Sequence, residues 1–252
     1  GTKAGDIAVG DVNGDTLPDV VVANRADFGF DPGDISVYLA DGTGGFEPQR
    51  RCCAGAEPSA VALADLDNDG RLDLAVARDA RGFGGPSPER PFLSVHLGQA
   101  DSPFGSERRF PAGISPTHVA SDDLNGDGVA DLVIANFSSD DISVFIGTGD
   151  GAFAAEQRYD VGEEPVHVAI GDLDADGAPD LAVANSGSDD ISVRSGRGDG
   201  TFRSDLRYPV GNRPASIAIG HLDDDQIPDV VVANRISSDL SILHGAGGGI
   251  LF

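Results

Sequence analysis

The chain is 252 residues long, carries 42 Asp and Glu against 17 Lys and Arg, and has a formal charge of −25. That acidic balance argues against the basic face that nucleic acid needs and against a charge-based hold on anionic lipid. With 40% hydrophobic residues and no run near the ~18 apolar residues of a membrane span, it reads as a folded chain of one large or two smaller domains, with no membrane insertion.

The first expected strand runs into Asp11, Asn13, Asp15 and Asp19. The spacing returns as Asp65, Asp67, Asp69 and Asp73, as Asp123, Asn125, Asp127 and Asp131, and as Asp172, Asp174, Asp176 and Asp180. Oxygen-bearing side chains thus occupy positions 1, 3, 5 and 9 of a nine-residue loop. Ca²⁺ is a hard cation that takes roughly six to eight oxygens, so a tight turn projecting alternate carboxylates inward suits it. Position 7, which is Ala178 in the fourth loop, would add a backbone carbonyl. In the fifth loop His221 stands first, followed by Asp223, Asp225 and Asp229, so four calcium sites are expected and a weaker fifth.

An EF-hand is excluded, because it needs a bidentate Glu at position 12, where Val22, Val76, Ile134, Val183 and Val232 stand. Ordinary turns also collect Asp, Asn and Gly, but they need one or two of them rather than four at fixed phase. The five loops hold 17 of the 42 acids, so five bound Ca²⁺ would bring the net charge to −15.

A Gly stands ten residues ahead of each loop, at Gly1, Gly55, Gly113, Gly162 and Gly211. One β domain over 1–252 therefore divides into units 1–54, 55–112, 113–161, 162–210 and 211–252. The basic period is 49 residues, and the first two copies carry insertions around 27–33 and 81–90. These would put Phe28, Phe30 and Phe83 on one rim, where loops commonly bind, although tolerated length variation is the plainer reading.

The third unit shows the elements cleanly: a strand at 116–121, the loop, a strand at 131–136, a polar turn, a strand at 142–146, and a fourth at 157–161. Four short antiparallel strands in about 50 residues make a propeller blade. Second strands such as Val20-Val-Val-Ala and Leu181-Ala-Val-Ala are apolar on both faces, which stacked blades would cover. Ala62, Ala120, Ala169 and Ala218 suit a crowded inner ring, and no stretch has sustained helical periodicity.

Other positions recur. Phe46, Phe104, Phe153, Phe202 and Phe252 follow Gly-rich turns and are expected to pack between blades. Arg51, Arg109, Arg158 and Arg207 follow five residues later and are expected to brace blade edges by bidentate pairing. His118 and His167 share one phase, five residues before the loop, and would face each other on adjacent inner strands; without a third good ligand, metal binding there is the weaker reading. Cys52-Cys53 allows a strained vicinal bridge or an intermolecular bond. Asn136-Phe-Ser138 is a glycosylation sequon, expected to be exposed at a strand exit.

Gly-Asp-Leu-Asp-Ala-Asp-Gly-Ala-Pro-Asp-Leu, with Gly-Arg-Gly-Asp-Gly-Thr-Phe downstream, resembles the FG-GAP/VCBS repeat of extracellular β-propellers, including the calcium-binding blades of integrin α-subunit heads. The resemblance covers nearly the whole chain and implies an all-β propeller of about five four-stranded antiparallel blades. Each blade would carry Ca²⁺ in the turn between its first and second strands. His221 departs from the pattern.

No nucleophile elbow, zinc helix or phosphate loop is visible, so no enzyme is expected. Modest-affinity calcium loops fill outside the cell, where free Ca²⁺ is high, and a chain starting at Gly1 without any Met reads as a processed or excised product. The expected function is a secreted, calcium-binding propeller with a structural or adhesive role. The alternatives are a glycan-binding lectin module, which the absence of Trp disfavours, and the propeller domain of a larger extracellular enzyme. The fifth unit stops at Phe252 without a fourth strand, leaving an edge open to strand addition. Self-association into an extracellular polymer is expected, with another extracellular protein or a glycan as alternative partners, or else the chain is part of a propeller with more blades.

Overall fold

The computed structural model describes residues 3–25, 33–52, 57–79, 91–99 and 104–246. The expectations for Phe28, Phe30, Phe83, Cys53 and Phe252 fall outside them.

The described residues form 19 strands and no helix. Blade 1 comprises β1 (Lys3–Gly10), β2 (Asp19–Arg25), β3 (Asp34–Tyr38) and β4 (Arg50–Cys52). Blade 2 comprises β5 (Pro58–Ala64), β6 (Asp73–Arg78), β7 (Phe92–Gly98) and β8 (Phe104–Pro111). Blade 3 has β9 (Pro116–Asp122), β10 (Asp131–Asn136), β11 (Asp141–Phe145) and β12 (Gln157–Asp160). Blade 4 has β13 (Pro165–Gly171), β14 (Asp180–Asn185), β15 (Asp190–Arg194) and β16 (Leu206–Pro209). Blade 5 has β17 (Pro214–Gly220), β18 (Asp229–Asn234) and β19 (Asp239–Leu243). Each blade is an antiparallel meander in chain order, and among the described residues the fifth has three strands.

Second strands sit between neighbouring sheets, and β6, β10 and β14 are buried along their whole length. Alternate side chains therefore feed two different cores. Leu74 and Val76 join Val21, Ile35 and Val37 of blade 1, whereas Ala75 and Ala77 join Leu132 and Ile134 of blade 3. The same alternation joins blades 3 and 4 through Val133 and Val183, and blades 4 and 5 through Ala182 and Val230. Fully burying one such Leu or Ile stabilises by about 1.5–3 kcal/mol.

Five blades thus share four cores, and the inner strands contact in the order β1, β5, β9, β13, β17. Among the described residues no comparable packing joins β17 back to β1. The arc is open, with more left uncovered than the one strand edge foreseen from the sequence. Ile7 and Val9 of β1 are 60% and 62% exposed, although in the corresponding places in β5 Val61 is 4% exposed and Leu63 is half-buried. At the other end Leu240 and Ile242 are 64% and 50% exposed, where Ile191 and Val193 of blade 4 are buried.

The junctions also explain the recurring Phe. Phe153 meets Phe110 of the preceding blade edge-on at 5.0 Å, and Phe202 meets Tyr159 of its preceding blade at 5.5 Å. Phe104 is buried in the core that Cys52 flanks. Phe46 departs from the expectation: among the described residues no blade packs on that side of blade 1, its ring is 52% exposed, and its ring contact there is Tyr38, edge-on at 6.3 Å.

The Arg braces are present in altered form. Arg51 pairs with Asp34 at 2.8 Å, Arg207 with Asp190 at 2.6 Å, and Arg158 with Asp141, each through one terminal nitrogen rather than a bidentate fork. In blade 2 Phe92 occupies the Asp position, and Arg109 instead lies over its ring at 4.4 Å and pairs with Glu107 at 2.6 Å. Asn136 is fully buried, contrary to the exposed sequon expected: its Nδ2 donates to Asp141 Oδ1 and Ser143 Oγ, both at 2.9 Å. Asn24, Asn185 and Asn234 make the same pair of bonds in their own blades. These Asn side chains tie the second strand to the third, and this side chain is no glycan acceptor in the folded state.

His118 and His167 do face each other, with stacked rings 3.7 Å apart, and Val168 N–H donates to His118 Nδ1 at 3.4 Å. No third ligand gathers with them among the described residues. Burial, with the neighbouring imidazole second, pushes His118 down to about 3. The unfolded chain therefore takes up the proton first as pH falls, so the stability this ring supplies is complete above about 6.5 and is lost on descending towards 3. Relative to His118→Gln, the wild type is expected to lose about 2 kcal/mol more between pH 6.5 and pH 5, read by urea unfolding. Parallel curves for the two proteins would contradict this.

Candidate metal centre

Each acidic loop joins the first strand of a blade to the second, on the same end of every sheet. Such a reversal needs left-handed backbone, and positions 4 and 6 supply it in the first four loops: Gly14 and Thr16, Asn68 and Gly70, Gly126 and Gly128, Ala175 and Gly177. Thr16 and Ala175 hold φ of 71° and 61° without a glycine, at a cost of about 1–2 kcal/mol each.

The position 1 carboxylate organises the turn. Asp65 Oδ1 accepts from Asp69 N at 3.1 Å and its Oδ2 from Gly70 N at 2.9 Å. Asp172 repeats this with Asp176 N and Gly177 N at 3.1 and 2.9 Å, and Asp11 and Asp123 do the same. At position 3, Oδ1 of Asn13, Asp67, Asn125, Asp174 and Asp223 accepts from the position 5 N–H. Position 5, namely Asp15, Asp69, Asp127, Asp176 and Asp225, accepts from the position 7 N–H and leaves its second oxygen for other partners.

Position 9 reaches furthest. Asp19, Asp73, Asp131, Asp180 and Asp229 are all 0% exposed. Oδ2 of each accepts from the position 2 N–H at 2.8 to 3.0 Å. Oδ1 accepts from the backbone at or just after the end of the third strand, at Ala40, Gly98, Gly147, Gly196 and Gly245. One carboxylate therefore locks loop, second strand and third-strand exit together. Sequence reasoning assigned it to metal alone, because the downstream partner lies 16 to 25 residues away.

Carboxylate oxygens of Asp65, Asp67 and Asp73 converge within 4.8 Å, as do those of Asp172, Asp174 and Asp180. In the first and third loops Asn13 and Asn125 stand at position 3, and their Nδ2 donates to Asp15 and Asp127 at 3.0 and 2.9 Å. Burial, joined by repulsion from the position 1 carboxylate and from that at position 3 (Asp67, Asp174) or position 5 (Asp127), outweighs the two backbone bonds and raises Asp73, Asp131 and Asp180 to about 6. Arg203 approaches Asp174 at 3.6 Å and Arg71 approaches Asp69 at 3.8 Å, yet each loop keeps an excess of negative charge in an oxygen-only donor set, which is what a hard divalent cation neutralises. On these grounds the second and fourth loops fit calcium by both convergence and strained charge, the third by its strained Asp131, and the first by its matching donor pattern of Asp11, Asn13, Asp15 and Asp19.

The fifth does not repeat them. His221 is exposed and takes none of the N–H bonds that the other position 1 residues collect among the described residues, and of its loop residues Gln226 alone has positive φ. Instead His244 Nδ1 lies 3.2 Å from Asp229 Oδ1 and 3.4 Å from Asp223 Oδ2. Nothing local in the sequence announces His244. The available signal is a column, because the residue ahead of the capped backbone is Leu39, Leu97, Ile146 and Ser195 in the other blades.

Residues of all five blades, including Arg25, Asp79, Phe137, Ser186 and Arg235, line a pocket of about 440 Å³.

The FG-GAP-like repeat family matches residues 4–76, 123–183 and 172–232. No curated protein matches the sequence. Among solved structures, the chain resembles a functionally unknown protein from Desulfotomaculum acetoxidans at 17% identity and TM-score 0.60, over 100% of this chain and 72% of that one. It also resembles an Agrocybe aegerita lectin that recognises non-reducing terminal N-acetylglucosamine, at 18% identity and TM-score 0.59, over 98% and 64%. A further structure described as a propeller is 8% identical, with TM-score 0.59, over 98% and 55%. At these identities the likeness is one of fold, and the chain spans 55% to 72% of the length of those chains.

Proposed function

The chain belongs to the FG-GAP-like repeat family, and from that premise we propose that it is a calcium-rigidified extracellular propeller module with a structural or adhesive, non-catalytic role, whose two open faces associate with other copies of itself. One observation carries this reading: Ile7 at one end, and Leu240 and Ile242 at the other, are exposed at positions that the internal junctions bury, and Val9 is 62% exposed where Leu63 and Ile170 are half-buried. Covering them with a blade of another copy repeats the contact already made four times within the chain. Front face to back face is a heterologous contact, which propagates when it does not close.

A second reading has its own support. Because the chain spans 55% to 72% of the related structures, further blades of a longer polypeptide would cover the same faces. Light scattering on the 252-residue chain in calcium, over a concentration series, separates the two. Self-association is expected, and Ile7→Lys with Leu240→Lys is expected to abolish it while leaving calcium binding intact. A monomer at every concentration would overturn self-assembly and leave the longer propeller.

A further inference from the structure

We propose that the fifth loop is a transition-metal site of the Zn²⁺ class, ligated by Asp223, Asp229 and His244, and not a fifth calcium site. The inference deepens the metal reading of the loops, and it starts from a mismatch. Calcium needs oxygen donors, and this loop has lost the carboxylate at position 1 to His221, which faces solvent. At the same time it has gained an imidazole, His244, within 3.4 Å of the carboxylates at positions 3 and 9. Leu39, Leu97 and Ile146 there are apolar, and Ser195 is small. A carboxylate lost and a ring nitrogen gained at the same cavity shift its preference from hard to borderline cations.

The spacing suits such an ion. Metal–ligand bonds of about 2.0–2.1 Å in a tetrahedron place ligand atoms about 3.3–3.4 Å apart. Nδ1 of His244 lies 3.2 Å from Asp229 Oδ1 and 3.4 Å from Asp223 Oδ2, and the three ligand atoms lie within 4.8 Å of one another. Asp229 is held in orientation by Leu222 N–H at 2.8 Å and Gly245 N–H at 3.1 Å, which is the outer support that ligating carboxylates use. Asp223 and His244 are each 44% exposed, so the ion has an entry path and a fourth position open to water. The competing arrangement is His244 hydrogen-bonded to Asp229 with no metal bound.

The test is a calorimetric titration of Zn²⁺ into the chain already saturated with Ca²⁺, with the visible bands of bound Co²⁺ as a second readout. One Zn²⁺ per chain is expected, and His244→Leu, the residue that blades 1 and 2 carry there, should weaken it ~10-fold or more while leaving the calcium count unchanged. A double variant, His221→Asp with His244→Leu, should exchange zinc for one further calcium. No zinc uptake, or uptake that His244→Leu leaves intact, would overturn the proposal. So would zinc retained by the double variant. Failure of the calcium reading would show separately, as an absence of calcium before any zinc is added.

Discussion

Stripping calcium with a chelator is expected to lower the melting temperature by about 10–20 °C, in one cooperative transition. Extracellular calcium modules bind with dissociation constants of about 10⁻⁴ to 10⁻³ M, so at ~10 mM Ca²⁺ each filled loop adds about 1.4–2.7 kcal/mol to the folded state. Four loops give about 6–11 kcal/mol, and a chain of this size shifts by about 2 °C per kcal/mol. The mechanism lies in the buried position 9 carboxylates. Asp73, Asp131 and Asp180 are raised to about 6, first by burial, so at neutral pH the fold holds each one ionised against its preference. The sign follows: without the ion, acidifying from pH 7 towards 5 relieves that penalty; with the ion, the same protons compete for the ligand oxygens and destabilise. Thermal melts with and without chelator check the first statement, and an unchanged midpoint would contradict it.

Asp131→Ala is expected to cost about 3–5 kcal/mol even without calcium, because it strips two buried backbone donors of their acceptor. Leu124 N–H at 2.9 Å and Gly147 N–H at 2.7 Å both end on this carboxylate. Blade 3 lies between two cores, so the loss is felt on both sides. Asp127→Ala supplies the contrast. That side chain is exposed and accepts one loop N–H from Val129 at 2.8 Å, besides Asn125 Nδ2, so its loss should matter mainly through calcium. Urea unfolding of both variants in chelator checks this, and equal losses would contradict the dual role of position 9.

The loops were legible in the sequence because a side-chain type recurs at fixed spacing within nine residues. Blade count and strand order followed from the same repeat. Longer-range partners stayed hidden. His244 meets Asp229 from 15 residues away, and position 9 meets its second partner across a whole strand. Asn136 matches a sequon over only three residues, whereas its column, Asn24, Asn185 and Asn234, marks a structural hydrogen-bonding position. The open ends were legible only in part. Ile7, Val9, Leu240 and Ile242 continue the apolar pattern of the internal blades, and a pattern records that a face is meant to be covered without recording what covers it.

Calcium binding by these loops is tested most directly by a calcium titration of the metal-free chain at neutral pH. About four ions per chain are expected, falling to three in Asp174→Ala and unchanged in His221→Ala. Binding of no calcium, or a count that Asp174→Ala leaves unaltered, would contradict the account.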